Sequence, residues 1–379
     1  MSINVLLQET NSDQIGQLEL VVDSEDPPKI VREALLPVSH PPDLAILRLT
    51  EAAALAALSD YAQKAADNDR FSGIVLIASR GKVLLEKGWG LANRERGTPV
   101  TPATKFNIAS ITKMFTAVAV LQLVESGKLG FDDAIGKYLP AYANKDVASK
   151  VTIRHLLTHT GGTGDIFGSE FTRNRLTLRE HEDYIRLYES RPPLFEPGSQ
   201  YRYSNYGFIL LGRIIERVSG ISYDDYVQRK IFTPAGMKST GARPESEVVP
   251  NRAAGYLRRD GAWVSNTDTL PWRGMAFGLG YSTARDLLRF TEALDSGKLI
   301  SRTMLAEAIK PRRDQTGYGF AVRGEGVLRN YGHPGGSPGV SGDVRIFPEL
   351  GYILIGLSNL DPPAAERVLD RFMNRMPIQ

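Results

Sequence analysis

Strand-like runs stand at both ends of this chain with a helical, loop-rich middle between them, and no other feature limits the fold as tightly. Near the start, FSGIVLIAS and VLLEKGWGLAN read as two strands joined by a turn at Arg80–Lys82. At the other end, TGYGFAVRG, VLRNYGHPGG, SGDVRIFP and YILIGLSN read as strands, and PAAERVLDRFMNRM reads as a closing helix. Strands at both ends around a helical middle suggest one sheet assembled from both ends, with a helical insert over roughly 131–310.

Residues 1–45 differ from the rest. QIGQLELVVDSEDPPKIVREALLPV is two β-like runs around an acidic, Pro-rich turn, and Pro37, Pro41 and Pro42 suggest a linker. This is a hairpin-like appendage, either the remnant of an accessory domain or a hairpin on the main one. The main domain is expected over 46–379, opening with the amphipathic helix LRLTEAAALAALSDYAQKAADN.

Composition narrows the function. Hydrophobic residues make up 42% of the 379, enough for a sizeable core. The net charge of +3 gives no argument for nucleic acid or an anionic membrane. With no cysteine, disulfides, Cys-ligated zinc, iron–sulfur clusters and a thiol nucleophile are excluded. The first residues lack a basic region, so no signal peptide is expected in this chain; the cytoplasm, or export after removal of a signal, stays open. No integral membrane segment is expected, because the longest strongly apolar stretch, Phe115–Val124, is about half a span.

Three short patterns carry chemistry. In NIASITKMFTAVAVLQLVESGK, Ser110 and Lys113 form Ser-x-x-Lys at the start of a predicted helix of about 110–126. Residues three apart share a helix face, so the lysine lies beside the serine. A serine hydroxyl needs a neighbouring base, and a lysine becomes one when burial lowers its pKa. The pattern alone is weak, since Ser79 and Lys82 match it in a predicted hairpin turn. Second, FEPGSQYRYSNYGFILLGRIIE carries Tyr203-Ser204-Asn205, a phenol able to pass a proton and an amide able to orient Lys113 or a substrate carbonyl. Tyr142 and Asn144 repeat that form, and a half-buried tyrosine is the plain alternative. Third, His333-Pro334-Gly335-Gly336 ends a strand. Its glycines let substrate approach the backbone, and the N–H groups of Gly336 and Ser110 would make an oxyanion hole. A Gly-rich hairpin loop would look the same.

With the three patterns in this order, the chain resembles the serine β-lactamase and penicillin-binding-protein superfamily, whose signature is Ser-x-x-Lys, Ser-x-Asn or Tyr-x-Asn, and Lys-Thr-Gly. The Tyr-x-Asn form is similar to the class C branch, with its D-alanyl-D-alanine carboxypeptidases, D-aminopeptidases and family VIII carboxylesterases. The likeness covers roughly 50–379 and includes LGFDDAIGKYLP, VTIRHLLTHTGG, IFTPAGMKST, GLGYSTARDLLRF and PELGYILIGLSN. It implies an α/β fold of the α+β type, a β-lactamase/DD-peptidase-like antiparallel sheet flanked by helices with an all-helical insert. It also implies a Ser110 nucleophile, Lys113 as its base, Tyr203 as proton shuttle, Asn205 as partner of Lys113 and substrate, Gly336 as oxyanion donor, and His333 and Gly335 beside the substrate. No metal and no organic cofactor is implied; the partner is a small ester, amide or lactam, and the oligomeric state is left open.

One departure shifts the expected substrate. Where the family often has Lys-Thr-Gly, this chain has His333-Pro334-Gly335. Histidine is mostly neutral at pH 7, and proline offers no hydroxyl or N–H. Poorer carboxylate recognition favours a carboxylesterase or amidase over a β-lactamase or D,D-peptidase; an acyltransferase and a penicillin-binding sensor that acylates once remain rivals. Among other residues, His155 and His159 have a zinc-like spacing without a zincin glutamate, so a structural role is expected. His40 and His181 have no evident partner, and Phe167, Phe171, Trp263 and Trp272 are candidates for the acyl pocket.

Overall fold

A computed structural model describes residues 2–8, 13, 15–38 and 45–378. His40 and the expected linker residues Pro41 and Pro42 lie outside these. The chain forms two compact units, Met1–Lys64 with Arg367–Gln379, and Ala65–Glu366. No helix among the described residues is long and apolar enough to cross a membrane.

In the first unit, β1 (Ser2–Gln8), β2 (Ile15–Val22) and β3 (Ile30–Pro37) form an antiparallel sheet in that order. The strands β2 and β3 are the two β-like runs of the sequence. The strand β1 is an addition: all seven of its residues are exposed, so it is held by pairing, with Asn4 opposite Glu19, and leaves no burial pattern to read. Buried Asp13 is bracketed by the guanidinium groups of Arg371, at 2.7 Å, and Arg375.

The second unit is built on six antiparallel strands. They are β4 (Gly73–Ser79), β5 (Lys82–Trp89), β6 (Ala321–Arg323), β7 (Asn330–Ser337), β8 (Val340–Phe347) and β9 (Tyr352–Ser358), in the order β6-β7-β8-β9-β4-β5. The β9–β4 pairing joins the two ends of the sequence, from Tyr352 opposite Ser79 to Ser358 opposite Gly73. Gly73 permits that closure, because a Cβ there would lie 2.1 Å from the Leu357 carbonyl oxygen. The continuous apolar run of β4 is buried from Gly73 to Ala78.

Helix α1 (Glu51–Asp67) matches the predicted amphipathic segment, and the closing helix is Ala364–Met373. Helix α2 (Thr112–Glu125) is apolar all round and almost wholly buried, as a central helix must be. Helix α3 (Asn205–Ser219) packs against it, and α4 (Ala284–Asp295) lies on β9 and β4. The sheet is thus flanked by helices and joined by a largely helical insert.

The insert is not helical throughout. Tyr256–Arg259 pairs with Ala262–Ser265, and Tyr281–Ser282 pairs with Phe106–Asn107. Asp260 and Gly261 both have positive φ, 49° and 81°, and this Asp-Gly turn is the sequence signal for the first hairpin. Ser79 and Lys82 face each other across the tight turn at Arg80 and Gly81, as their hairpin reading required.

On β8, Asp343 is fully buried between the guanidinium groups of Arg345, at 2.7 Å, and Arg323, at 3.0 Å. Burial pushes this carboxyl up, but the two arginines outweigh it and hold it below the usual carboxylate range. Asp343 faces Pro334 across the β7–β8 ladder. Removing it strands two guanidinium groups, so Asp343→Ala is expected to cost about 3–5 kcal/mol, read as a lower urea midpoint at unchanged slope.

Candidate active site

Ser110 sits in a single 3-10 turn, Ala109–Ile111, that leads into α2. The residue before it, Ala109, is held at a φ of 40°, a left-handed conformation that costs a non-glycine residue energy. Three hydrogen bonds enforce it. The Ala109 N–H donates to Asn107 Oδ1 at 2.9 Å, its carbonyl accepts from Leu279 N–H at 3.0 Å, and Ile108 N–H donates to the Gly280 carbonyl at 2.8 Å. The 276–280 segment therefore braces the turn, and it also takes the Thr116 hydroxyl on the Ala276 carbonyl.

Lys113 follows one turn later and is fully buried. Its ammonium donates to Ser110 Oγ at 3.1 Å, to Asn205 Oδ1 at 2.7 Å and to the Phe277 carbonyl. Burial lowers its pKa from 10.5 to about 7, against the opposing pull of the Asp165 carboxylate. Once one proton leaves, the two carbonyl acceptors retain the remaining N–H groups, and the lone pair faces Ser110.

Tyr203 and Asn205 reach this point because a helix begins between them. Ser204 is the N-cap of α3, its Oγ accepting from Gly207 N–H at 2.9 Å, so the residues on either side turn toward the same place. The Tyr203 hydroxyl donates to Ser110 Oγ at 2.8 Å, and desolvation pushes its phenol above the ordinary range. Asn205 gives both its N–H and its Nδ2 to Asp165, each at 3.2 Å, which fixes the amide with Oδ1 toward Lys113.

Strand β7 closes the other side. A Cβ on Gly335 would lie 2.4 Å from the Ile108 carbonyl oxygen, so the strand touches the nucleophile turn there and Gly336 follows directly. His333 is buried, with its ring 6.4 Å from that of Tyr203, and its Nδ1–H donates to the Pro334 carbonyl at 2.6 Å. Burial, then the nearby Lys113 charge, pushes its pKa down to about 3. This ring is neutral at pH 7, with Nε2 left as an acceptor.

The structure thus gathers Lys113 and Tyr203 around the Ser110 oxygen, with Asn205 on Lys113, and places His333, Gly335 and Gly336 beside them. The lookalike pair lies elsewhere: the Tyr142 hydroxyl meets that of Tyr206, and Asn144 caps the helix Lys145–Lys150. His155 and His159 do not pair as ligands. His155 closes a capping box with Thr152. His159 stacks on Tyr203 with centroids 4.3 Å apart while its Nδ1 accepts from Ser204 N–H. No group of three or more His, Asp or Glu residues among those described is arranged to hold a metal ion. His181 does have a partner, Glu216 at 2.9 Å.

Of the four candidate aromatics, Phe167 lies nearest, half exposed and edge-on to Phe277 at 6.2 Å. Phe171 packs against Phe167, whereas Trp263 stacks with Arg94 and Arg258, and Trp272 with Arg179 and Arg273. Sequence reasoning missed Asp165, Phe277 and the contact of His159 with Tyr203. The likeness segment VTIRHLLTHTGG includes His159 but stops three residues before Asp165, and the role of Phe277 rests on its backbone carbonyl, which no side chain advertises.

Comparison with known proteins follows the same outline. The family described as Beta-lactamase matches residues 58–374. Penicillin-binding protein 4* of Bacillus subtilis is 31% identical over 323 residues, covering 77% of this chain and 69% of that one. Esterase EstB of Burkholderia gladioli is 32% identical over 311 residues, covering 73% and 79%. The crystal structure of a penicillin-binding protein from Bacillus halodurans superposes with a TM-score of 0.74 at 32% identity, over 81% of this chain and 96% of that one.

The contact of Gly335 with the nucleophile turn is directly testable. Gly335→Ala forces a methyl group onto the Ile108 carbonyl and is expected to cost about 1–3 kcal/mol in urea unfolding. Gly81→Ala, in an open turn with nothing within 4 Å of its Cβ, serves as the comparison for a purely local backbone cost.

Proposed function

The chain belongs to the β-lactamase family, and from that premise we propose that it is a serine hydrolase acting on small acyl esters or amides through an acyl-Ser110 intermediate. The reading is carried by one observation: Ser110 Oγ receives hydrogen bonds from both Lys113 and Tyr203, while Asn205 and the Phe277 carbonyl hold Lys113 in place. The hydrolase is assigned to residues 46–379, with 1–45 as an appendage.

In the first step neutral Lys113 takes the Ser110 proton as the serine oxygen bonds to the substrate carbonyl carbon. The oxygen of that carbonyl gathers negative charge before the N–H groups of Ser110 and Gly336. Tyr203, kept protonated by its surroundings, gives its proton to the leaving alcohol or amine and recovers one from Lys113. In the second step Lys113 and Tyr203 remove a proton from water as it attacks the acyl carbon, and the serine leaves with a proton. The balance is one water consumed, with one acid and one alcohol or amine released. The side chains present supply every proton movement.

Substrate preference follows from His333. The ring is neutral, and the nearby guanidinium of Arg323 is engaged by Asp343. A carboxylate beside the scissile bond, as in lactams and D,D-peptides, therefore finds no free cation at β7. Uncharged acyl groups meet no such deficit, and the esterase among the relatives agrees with this preference.

Four outcomes test the proposal. Ser110→Ala is expected to abolish fluorophosphonate labelling and to lower p-nitrophenyl butyrate turnover by about 10³–10⁶-fold; labelling that survives would remove the nucleophile. Turnover of p-nitrophenyl butyrate is expected to exceed that of nitrocefin, and the reverse order would return the lactam reading. The rate of labelling is expected to rise with pH through about 7 as Lys113 loses its proton. Asp165→Asn should move that limb to lower pH, because it removes the negative charge that favours the ammonium form.

A further inference from the structure

A second cavity, of about 670 Å³, lies against the nucleophile turn without including Ser110, Lys113 or Tyr203 in its wall. Its volume is that of a site for a small organic molecule. Ile108 and Thr112, which bracket Ser110 in the chain, form part of the wall.

The charges on the wall do not cancel. Asp224 is taken by Arg273, which also holds Glu180. Asp225 is held by Ser222 at 2.9 Å and faces Arg229 at 3.5 Å. Lys105 and Lys238 have no ion pair and no side-chain hydrogen bond among the described residues. Arg243 faces Glu247 at 3.8 Å, so the wall carries two uncommitted ammonium groups and, among the described residues, no carboxylate without a partner.

A third donor joins them. Tyr281 is only 6% exposed, yet its hydroxyl has no hydrogen-bond partner among the described residues. Burial raises its pKa, so it stays a phenol that can donate. The hydroxyl is not sealed in the interior, and the side chain lines the cavity, where it is open to donate to a bound molecule. The rest of the lining supplies the opposite chemistry, with Phe115, Val227, Phe232 and Met275 presenting an apolar surface.

We infer that this cavity binds a small carboxylate with an apolar body, its head between Lys105, Lys238 and Tyr281 and its tail against Phe115, Phe232 and Met275. A carboxylate has about four lone-pair directions and no proton to give, which suits a wall with two uncommitted ammonium groups and a phenol. An amine would meet two like charges there, and a neutral amide would bring no charge to balance them. The inference does not depend on the hydrolase reading, since no catalytic side chain lines the cavity.

The test is isothermal titration of the full chain with octanoate, octanamide and octylamine. Saturable one-to-one binding of octanoate is expected, at least about tenfold tighter than that of the other two. Lys105→Gln/Lys238→Gln is expected to weaken octanoate by at least about tenfold, and Tyr281→Phe by a smaller factor. Ser239→Trp, which fills the cavity from its rim, should remove binding, and it keeps the test decisive if the double variant fails to fold. Absent saturation in the wild type, equal binding of octylamine, or octanoate affinity unchanged in the cavity variants would overturn the inference.

Discussion

The burial of a single amine organises this molecule. Lys113 is held between the Asn205 side-chain carbonyl and the Phe277 backbone carbonyl, and its remaining direction is toward Ser110. Its enclosure has an energetic consequence for the whole fold. The unfolded chain keeps this proton up to pH 10.5, whereas the folded chain gives it up at about 7. Between those values the unfolded state binds more protons, so stability rises with pH across that window. Below it the charged amine carries the full cost, on the order of 5 kcal/mol. A fold that accepts such a cost must recover it elsewhere, and the buried apolar residues of α2 are one source.

The acceptors of Lys113 come from distant places in the chain, and each depends on a local device. Asn205 is aimed by the N-cap at Ser204 and by Asp165. Phe277 belongs to the segment that also pins Ala109 in its left-handed conformation. The same backbone segment therefore sets both the position of the base and the exposure of the nucleophile. Movement of 276–280 would disturb the two together, which gives the site a single mechanical point of failure.

Much of this was legible in the sequence, for reasons that differ from residue to residue. Ser110 and Lys113 were visible because helical spacing converts a three-residue interval into contact. Tyr203 and Asn205 were visible through the Tyr-x-Asn form ahead of an amphipathic run, and the sheet because its strands are apolar runs bounded by turns. The hairpin at 256–265 was readable from Asp260-Gly261 but was absorbed into a helical reading of the middle. Strand β1 and the Phe277 carbonyl were not readable in the same way. One is stabilised by ladder pairing without burial, and the other acts through a group every residue possesses. His159 was weighed as a ligand or a structural residue, and its contact with Tyr203 needed the three-dimensional placement of a loop with a positive φ of 56°.

The antiparallel closure of β4 by β9 has a bearing on how the protein is made. The segment Gly73–Ser79 leaves the ribosome long before Tyr352–Ser358, its only neighbour on that side. At typical rates of translation the interval is roughly 15–60 s. For that time a run of buried-type aliphatic residues waits with one edge open, and the serine turn waits without the strand that will face it. The nascent chain is thus exposed to wrong associations until its last strand emerges, and a holdase acting on partly synthesised copies would be of most use during that wait.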